Sequence, residues 1–211
     1  MSQIFATGFG WSRAYPLSRK GDAHEALSRL FSDSGVPRKL IVDDTKEFLK
    51  GEFNRKCKES NCYLRGTEPY SPWQNAAERE IKELKKGTAR KMLKSGAPLR
   101  LWDYCLELES FIRSHCAHDI YELDEHVPET LVSGETADSP FCEFGWYDWV
   151  MFLDQGVAFP DDKRVLGKYL GPSRDVGPAM SARILTATGY VVDRSTLRLL
   201  TPDEVCNEAI I

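Results

Sequence analysis

Two carboxylates and a set of lysines in the first half of the chain have types and spacing that could do chemistry. Glu78 opens a helical run and shares one helix face with Lys82 and Lys85, because residues four and seven apart lie on the same side of a helix. Asp43 lies 35 positions earlier, directly after the apolar stretch Leu40–Val42. Carboxylate oxygens suit hard cations such as Mg²⁺ and Mn²⁺, and ammonium groups bind phosphate. The pattern therefore suits nucleic acid that is handled with metal ions.

Both carboxylates also have structural explanations. Asp44 and Glu47, three residues apart, would form an N-terminal capping box for the helix that follows Asp43. Asn75 and Glu78 would form a second box, whose Glu also suits the positive end of the helix dipole. Capping and metal binding do not exclude each other, so spacing alone leaves both interpretations open.

The elements that must position these side chains alternate between strands and helices, a pattern typical of an α/β fold. The sequence predicts strands over 4–6 and 12–15 joined at a turn through Gly8 and Gly10, a helix capped by Asp22 and ending at Gly35, a strand over 40–42, a helix over about 46–60, a strand over 62–65, a long helix after Pro72, and a helix over about 99–115. Asp43 thus follows a strand, and Glu78 begins a helix.

The long helix has an apolar face and a basic face. Its apolar positions are Ala77, Ile81, Leu84, Thr88 and Met92. Between residues 79 and 94 it carries more basic than acidic side chains: Arg79, Lys82, Lys85, Lys86, Arg90, Lys91 and Lys94 against Glu80 and Glu83. The basic face is either a phosphate-binding surface or a solvated face with ion pairs along the helix.

The last third of the chain changes character. A polar connection over 119–140 precedes short β-rich runs over 149–153, 165–170, 182–186 and 190–193, with Thr188 and Gly189 at a predicted hairpin turn. We expect a small all-β domain here.

Composition limits the class of protein. The 211 residues are 42% hydrophobic and 28% charged, which is typical of a globular chain with one or two domains. The net charge of −4 means that any nucleic-acid binding must use a local patch. The six cysteines lack a disulfide framework, so reduced thiols in an intracellular compartment are expected, and His115, Cys116 and His118 are not expected to bind metal. No apolar stretch approaches the ~20 residues that cross a bilayer.

Several segments resemble the DDE-type integrases of copia-type retrotransposons. They are DDTKEF (43–48), PYSPWQNAAERE (69–80), the Pro-Glu-Thr run at 128–130, LGKYLGPS (166–173) and GYVVDRSTLRLL (189–200). Asp43 matches the second acid of the family and Glu78 its glutamate, although the shortened interval after Pro72 leaves Glu80 open for that role. Gln74 matches an active-site loop glutamine.

The resemblance implies a fold and a set of partners. The fold is a ribonuclease-H-like mixed sheet with flanking helices, lacking its first strand, followed by a Src-homology-3-like barrel. The implied domains are a core-like domain (1–118), a linker (119–143) and a small barrel (144–211). Mg²⁺ or Mn²⁺ would bind Asp43 and Glu78, and DNA would contact Gln74, Lys82, Lys85 and Lys86. The implied partners are element-end and target DNA and, in intact relatives, further copies of the chain, with action in the nucleus and not at a membrane.

The implied activity is DNA integration by metal-dependent phosphoryl transfer. The family uses three acids, and no residue here takes the place of the first, since Asp22 and Asp33 lie at helix ends. We therefore expect the chain to be inactive alone. The alternatives are a non-enzymatic nucleic-acid-binding or tethering module, a ribonuclease-type hydrolase with the same fold, and an inert fragment.

Overall fold

The computed structural model describes residues 1–43, 46–67, 76–119, 123–124, 126–134, 136, 143–154, 156, 160, 162–173 and 181–207, with only the backbone at 47 and 76. The chain forms two compact units. The first unit comprises Met1–Gly87 and Glu109–Ala137, and the second comprises Thr88–Leu108 and Asp138–Ile211. These units do not decide the expected domain limits at residues 118 and 144, which stay a prediction.

The described residues form helices and strands close to those predicted. The helices are α1 (Ala23–Ser34), α2 (Lys46–Lys50), α3 (Glu52–Glu59), α4 (Ala76–Ser95), α5 (Trp102–His115), α6 (Pro128–Ser133) and α7 (Pro202–Val205). The strands are β1 (Ser2–Ala6), β2 (Ser12–Pro16), β3 (Lys39–Val42), β4 (Tyr63–Gly66), β5 (Trp149–Leu153), β6 (Arg164–Pro172), β7 (Ala182–Thr186), β8 (Val191–Arg194) and β9 (Leu197–Leu199). The predicted α/β alternation of the first half and the β-rich second half are confirmed.

The first unit contains two separate two-stranded sheets. β1 and β2 pair antiparallel, with Ile4 opposite Ala14, and β3 and β4 pair parallel, with Leu40 opposite Leu64. No ladder joins the two sheets among the described residues. α1 buries its apolar side, with Ala26 and Leu27 fully covered, in the core that also holds Phe53 of α3.

Two local predictions in this region were wrong. The helix expected over 46–60 is interrupted at Gly51, which lies in extended backbone between α2 and α3. Asp22 does not cap α1 through its side chain; its carboxylate instead accepts a hydrogen bond of 3.0 Å from the Arg19 backbone N–H and closes a short 3₁₀ turn. Glycine disfavours a continuous helix at this position, because it loses more conformational entropy in a helix than any other residue.

The outer edge of β2 is covered by α5. The Ser12 N–H donates to Ser114 Oγ at 3.0 Å, and the same hydroxyl donates to the Ser12 carbonyl at 2.9 Å. Ser110 Oγ lies 3.1 Å from Ser12 Oγ, and all three serines are buried. Hydroxyl groups thus satisfy backbone groups that would otherwise be left unbonded on a sheet edge.

The segment expected to be only a polar connection contains α6, which is tied to β2. Glu129 accepts a hydrogen bond of 2.9 Å from the Trp11 indole N–H and pairs with the Arg13 guanidinium. Arg13 also lies over the Trp11 ring, 4.9 Å from its centre. Burial lowers the pKa of Arg13, and the Glu129 carboxylate opposes that effect. The pair holds the buried charge of Arg13 in place.

The second unit is built on a five-stranded antiparallel sheet in the order β8-β7-β6-β5-β9. Thr188 and Gly189 form the predicted hairpin turn, in which the Gly189 N–H donates to the Thr186 carbonyl and Gly189 takes a φ of +84°. β9 was not predicted, because its three residues are too short to show a period. Src-homology-3-like closure of this sheet stays a prediction.

The described cysteines are reduced thiols: Cys57, Cys62, Cys105, Cys116 and Cys206. Burial raises the pKa of the Cys57 thiol to about 12, and it raises the pKa of Cys62 as well. These two side chains belong to the core of the first unit and stay protonated at neutral pH.

Candidate metal and nucleic-acid site

Asp43 lies immediately after β3 and is exposed. The strand is short and apolar and pairs with β4 up to Val42, whose carbonyl accepts the Thr67 N–H at 2.9 Å. Asp43 at the end of this strand is therefore accessible to solvent. Asp44 and the Glu47 side chain lie outside the described residues, so their predicted capping box stays untested.

A cavity of about 570 Å³ in the first unit adjoins Asp43. Its wall includes residues 3–6 of β1, all of β3, the end of α1 and the first turns of α4 through Ala77 and Ile81. The end of β3 and the first turns of α4 therefore line the same cavity. The sequence expected Asp43 and the start of α4 to act together, and both border this cavity.

Glu78 and Glu80 have different surroundings. Glu78 lies in the first turn of α4 and is exposed, whereas Glu80 is 5% exposed. The Glu80 carboxylate accepts two hydrogen bonds from Arg113 of α5, at 2.6 Å from Nε and 3.2 Å from Nη2. These hydrogen bonds raise the pKa of Arg113. Glu80 is committed to packing α5 against α4, which favours Glu78 as the residue open to a ligand.

The predicted basic residues of α4 are at the surface. Lys82, Lys85 and Lys86 are all exposed, while Leu84 and Thr88 on the opposite side are buried. Lys86 donates to Glu83 at 2.7 Å, an exposed pair of small energetic value. Lys82 and Lys85 make no ion pair with a residue that the structure describes. They therefore keep their charges available on the same face as Glu78.

The turn between β1 and β2 contacts the same helix. The Arg79 guanidinium donates to the Gly8 carbonyl at 3.3 Å. Gly10 has a φ of +91°, and a Cβ there would lie 3.1 Å from the His118 ring. His118 Nε2 lies 2.7 Å from the Arg113 carbonyl oxygen. The glycine pair is a tight turn, as predicted.

The potential metal ligands among the described residues are few. Within the described residues no three His, Cys, Asp or Glu side chains are grouped to hold a metal ion. Asp43 and Glu78 supply carboxylates alone, and Mg²⁺ sites of that kind rely on waters and substrate phosphates for their other ligands. The described residues do not by themselves form a complete metal site, and no reaction step follows from them. Gln74 lies outside the described residues.

Comparison with known proteins supports the fold. A chain of the cryo-EM structure of the simian T-cell lymphotropic virus intasome in complex with PP2A regulatory subunit B56 gamma aligns over 91% of this chain and 69% of its own length, with a TM-score of 0.51 and 15% identity. The catalytic core domain of BIV integrase aligns over 57% of this chain and 75% of its own, with a TM-score of 0.44 and 18% identity. The chain has an integrase-like fold, a mixed α/β arrangement that includes a five-stranded antiparallel sheet.

No protein-family model and no curated protein matches the sequence. The described helices include none with the length and apolar character needed to cross a membrane.

Sequence reasoning missed the partners of two buried charges. Glu80 pairs with Arg113 across 33 positions, and Glu129 pairs with Arg13 across 116. A signal for Glu80 was present, since it lies three residues after Ala77 and four before Leu84, within the buried stripe of α4. Nothing comparable marked Glu129, which follows a proline in a segment predicted to be a polar connection.

Proposed function

We propose that this chain is an integrase-like segment of a copia-type retrotransposon protein that binds DNA through the exposed lysines of α4 and is catalytically inactive alone. The observation that carries the proposal is the exposed stripe of Glu78, Lys82 and Lys85, beginning where α4 borders the same cavity as Asp43. The integrase-like fold supports it. A ribonuclease-H-like arrangement of the first unit and a barrel in the second are parts of the same proposal.

Each site residue has a proposed role. Lys82 and Lys85 bind DNA phosphates as point charges, and Lys86 joins them when it leaves Glu83. Gln74 contacts DNA near the carboxylates. Asp43 and Glu78 contact Mg²⁺ or Mn²⁺ when DNA phosphates supply further oxygen ligands. DNA ends and target DNA, further copies of the chain, and action in the nucleus belong to this proposal too.

The test is the salt dependence of DNA binding. Fluorescence anisotropy with a labelled duplex, measured over a series of NaCl concentrations, gives the slope of log K against log salt. Replacing both Lys82 and Lys85 by Gln is expected to weaken binding and to reduce the magnitude of the slope by about 1.8, because each phosphate that a lysine neutralises accounts for about 0.9 of it.

A matched control separates a local surface from bulk charge. Lys50→Gln with Lys58→Gln removes the same charge from exposed positions at α2 and α3. The control is expected to keep the affinity and slope of the unsubstituted chain. Equal losses of affinity in both double variants, or no salt-dependent binding by the unsubstituted chain, would overturn the proposed surface. Asp43→Asn is expected to leave binding unchanged without metal.

A further inference from the structure

Cys57 and Cys62 lie at the two ends of the turn that joins α3 to β4. The Cys62 N–H donates to the Cys57 carbonyl at 2.8 Å, and the Asn61 N–H donates to the Lys58 carbonyl at 3.2 Å. Asn61 takes a φ of +56°, in the left-handed region. These features define a Schellman motif. In this motif the side chains at the two ends of the longer hydrogen bond, here Cys57 and Cys62, frequently pack against each other.

The backbone hydrogen bond limits how far apart the two cysteines can be. With standard bond lengths, the 2.8 Å between the Cys62 nitrogen and the Cys57 oxygen leaves their Cα atoms no more than about 6.7 Å apart. Disulfides join residues whose Cα atoms are about 4.4–6.8 Å apart. The two positions are therefore close enough for a disulfide.

Both side chains point into the same core. Cys57 is fully buried and Cys62 is 5% exposed, and both belong to the core of the first unit. Burial, and after it the neighbouring Cys62 thiol, raises the pKa of Cys57 to about 12. The residues between them at Lys58, Glu59 and Asn61 are exposed. The two thiols are thus neighbours beneath a surface turn.

The two thiols differ in their hydrogen bonds. Burial raises the pKa of Cys62, but hydrogen bonds from the Cys57 thiol and from the Leu40 backbone oppose that effect. For Cys57 the contact with Cys62 adds to the effect of burial. Cys62 therefore forms a thiolate more readily than Cys57 does, and the thiolate is the form that attacks a disulfide.

We propose that Cys57 and Cys62 are a modification site, at which a low-molecular-weight disulfide such as oxidised glutathione converts the two thiols into an intramolecular disulfide. The Cys62 thiolate attacks one sulfur of the oxidant, which gives a mixed disulfide and releases one glutathione thiolate. The Cys57 thiolate then attacks the Cys62 sulfur and displaces the second glutathione. The protein gives up two electrons and two protons, which are recovered in two molecules of reduced glutathione.

Burial slows this reaction and also selects its product. The turn over residues 58–61 lies at the surface, so its local opening exposes both thiols without unfolding of the whole chain. When the turn closes again, a glutathione adduct would place charged groups in an apolar core. A disulfide between the two cysteines has no charge, so the closed turn accepts it.

The disulfide ties the end of α3 to the start of β4. It closes a loop of six residues, from Cys57 to Cys62. Because the loop is short, we expect a stabilisation at the low end of the usual range, which lowers the unfolding equilibrium constant by roughly 30-fold. The stability of the first unit would then depend on the thiol–disulfide balance around it. This proposal does not rest on DNA binding.

Peptide mapping by mass spectrometry of the full chain tests the site. The reduced chain is incubated with oxidised glutathione in native buffer, its remaining thiols are alkylated in denaturant, and it is digested with trypsin. Trypsin cleaves after Lys58, between the two cysteines, so a disulfide holds the two resulting peptides together. We expect this linked pair to form, more slowly than glutathione adducts form at the exposed Cys116 and Cys206.

Cys105 is the internal control. It is also buried, and its thiol donates to the Thr88 carbonyl at 3.8 Å. It is expected to stay reduced over the time in which the linked pair forms. Urea unfolding of the oxidised chain, before and after addition of dithiothreitol, measures the expected 30-fold change and its reversal.

Two variants test the order of attack. Cys57→Ser is expected to accumulate a glutathione adduct at Cys62, because the second attack is missing. Cys62→Ser is expected to leave Cys57 unmodified over the same period. An adduct at Cys57 in the second variant, with none at Cys62 in the first, would reverse the assigned roles. The mapping of the unsubstituted chain does not depend on whether these variants fold.

Three results would overturn the proposal. Separate glutathione adducts at Cys57 and Cys62, or two thiols that stay reduced after Cys116 and Cys206 have fully reacted, would mean that the pair is not a disulfide site. A linked pair that forms only in urea would belong to the unfolded chain. An oxidised chain that is no more resistant to urea than the reduced chain would mean that the disulfide does not fit the turn.

Discussion

Two glutamates in the same turn of α4 have different roles because of the angle between them. Glu78 and Glu80 lie two residues apart, which places their side chains about 200° apart around the helix axis. One direction leads to solvent beside Lys82, and the other leads to Arg113. The first is available for a ligand, and the second holds two helices together.

Glu80→Gln is expected to lower the free energy of unfolding by about 3 kcal/mol. The substitution leaves the largely buried Arg113 guanidinium without its carboxylate partner, and an uncompensated charge of this kind is costly. Urea unfolding followed by circular dichroism measures the change.

Glu78→Gln is the matched control, since it makes the same chemical change two residues away on the exposed side. It is expected to alter the free energy of unfolding by no more than about 0.5 kcal/mol. If Glu78→Gln destabilised the chain as much as Glu80→Gln, the division of roles between the two residues would be wrong.

β6 depends on two glycines with different structural roles. A Cβ at Gly167 would lie 2.4 Å from Ile184 Cγ2 and 3.0 Å from the Leu185 carbonyl oxygen of the neighbouring strand. Gly171 has a φ of +129° where the register between β6 and β7 shifts. The first allows a close approach and the second a bulge. The LGKYLGPS run thus has a local physical reason for each of its glycines.

Gly167→Ala is expected to destabilise the chain by roughly 1–3 kcal/mol, because the added methyl group overlaps a buried side chain and a backbone oxygen. Thermal unfolding measured by calorimetry gives the shift. Gly21→Ala is the control, since nothing lies within 4 Å of a Cβ at that position. A Gly167→Ala variant as stable as the Gly21→Ala variant would contradict this packing.

Most elements were predictable from sequence, and the exceptions share a physical cause. α1 and α4 have apolar residues at helical spacing, and Leu40–Val42 is a continuous apolar run. These local patterns are sufficient to predict a helix or a strand. β9 and α6 carry no such pattern, because β9 is fixed by pairing with β5 and α6 by Glu129. Contacts between distant parts of the chain decide short elements, and a single sequence does not show them.

The candidate site was predictable to a similar degree. The exposure of Asp43, Glu78, Lys82 and Lys85 follows from helical spacing and from the end of a strand. The pairing of Glu80 with Arg113 did not follow from spacing, because the two residues lie 33 positions apart and only the three-dimensional structure brings them together.

Taken over all 211 residues, the charge is unfavourable for binding DNA, so a local arrangement must provide the attraction. The net charge is −4, yet Glu80 is withdrawn into a buried pair and Glu83 is paired with Lys86. What remains along that face of α4 is the exposed carboxylate of Glu78 beside the two lysines Lys82 and Lys85, an excess of one positive charge. The salt dependence of binding by such a patch is set by the few lysines that contact phosphates, since little attraction comes from the rest of the molecule.

Magnesium titration of the isolated chain is expected to show no saturable binding at millimolar concentrations. Among the described residues no three potential ligands are grouped. The carboxylates of Asp43 and Glu78 alone are too few to replace the water molecules that Mg²⁺ holds tightly. Isothermal calorimetry measures the binding, with the Asp43→Asn, Glu78→Gln double variant as control. Saturable heat from the unsubstituted chain that disappears in the double variant would show a site that is complete without DNA.

The boundaries between the two compact units fall inside α4 and inside α5, so neither unit can be moved into another protein as one continuous segment. The second unit takes its residues from two stretches, 88–108 and 138–211, and Glu107 pairs with Arg183 of β7 while Leu108 packs on Gly171. A gene fragment that starts after the helices would encode the strands without the helical surface that covers them. Exchanging the second unit for that of another chain would therefore require three junctions, after residues 87, 108 and 137.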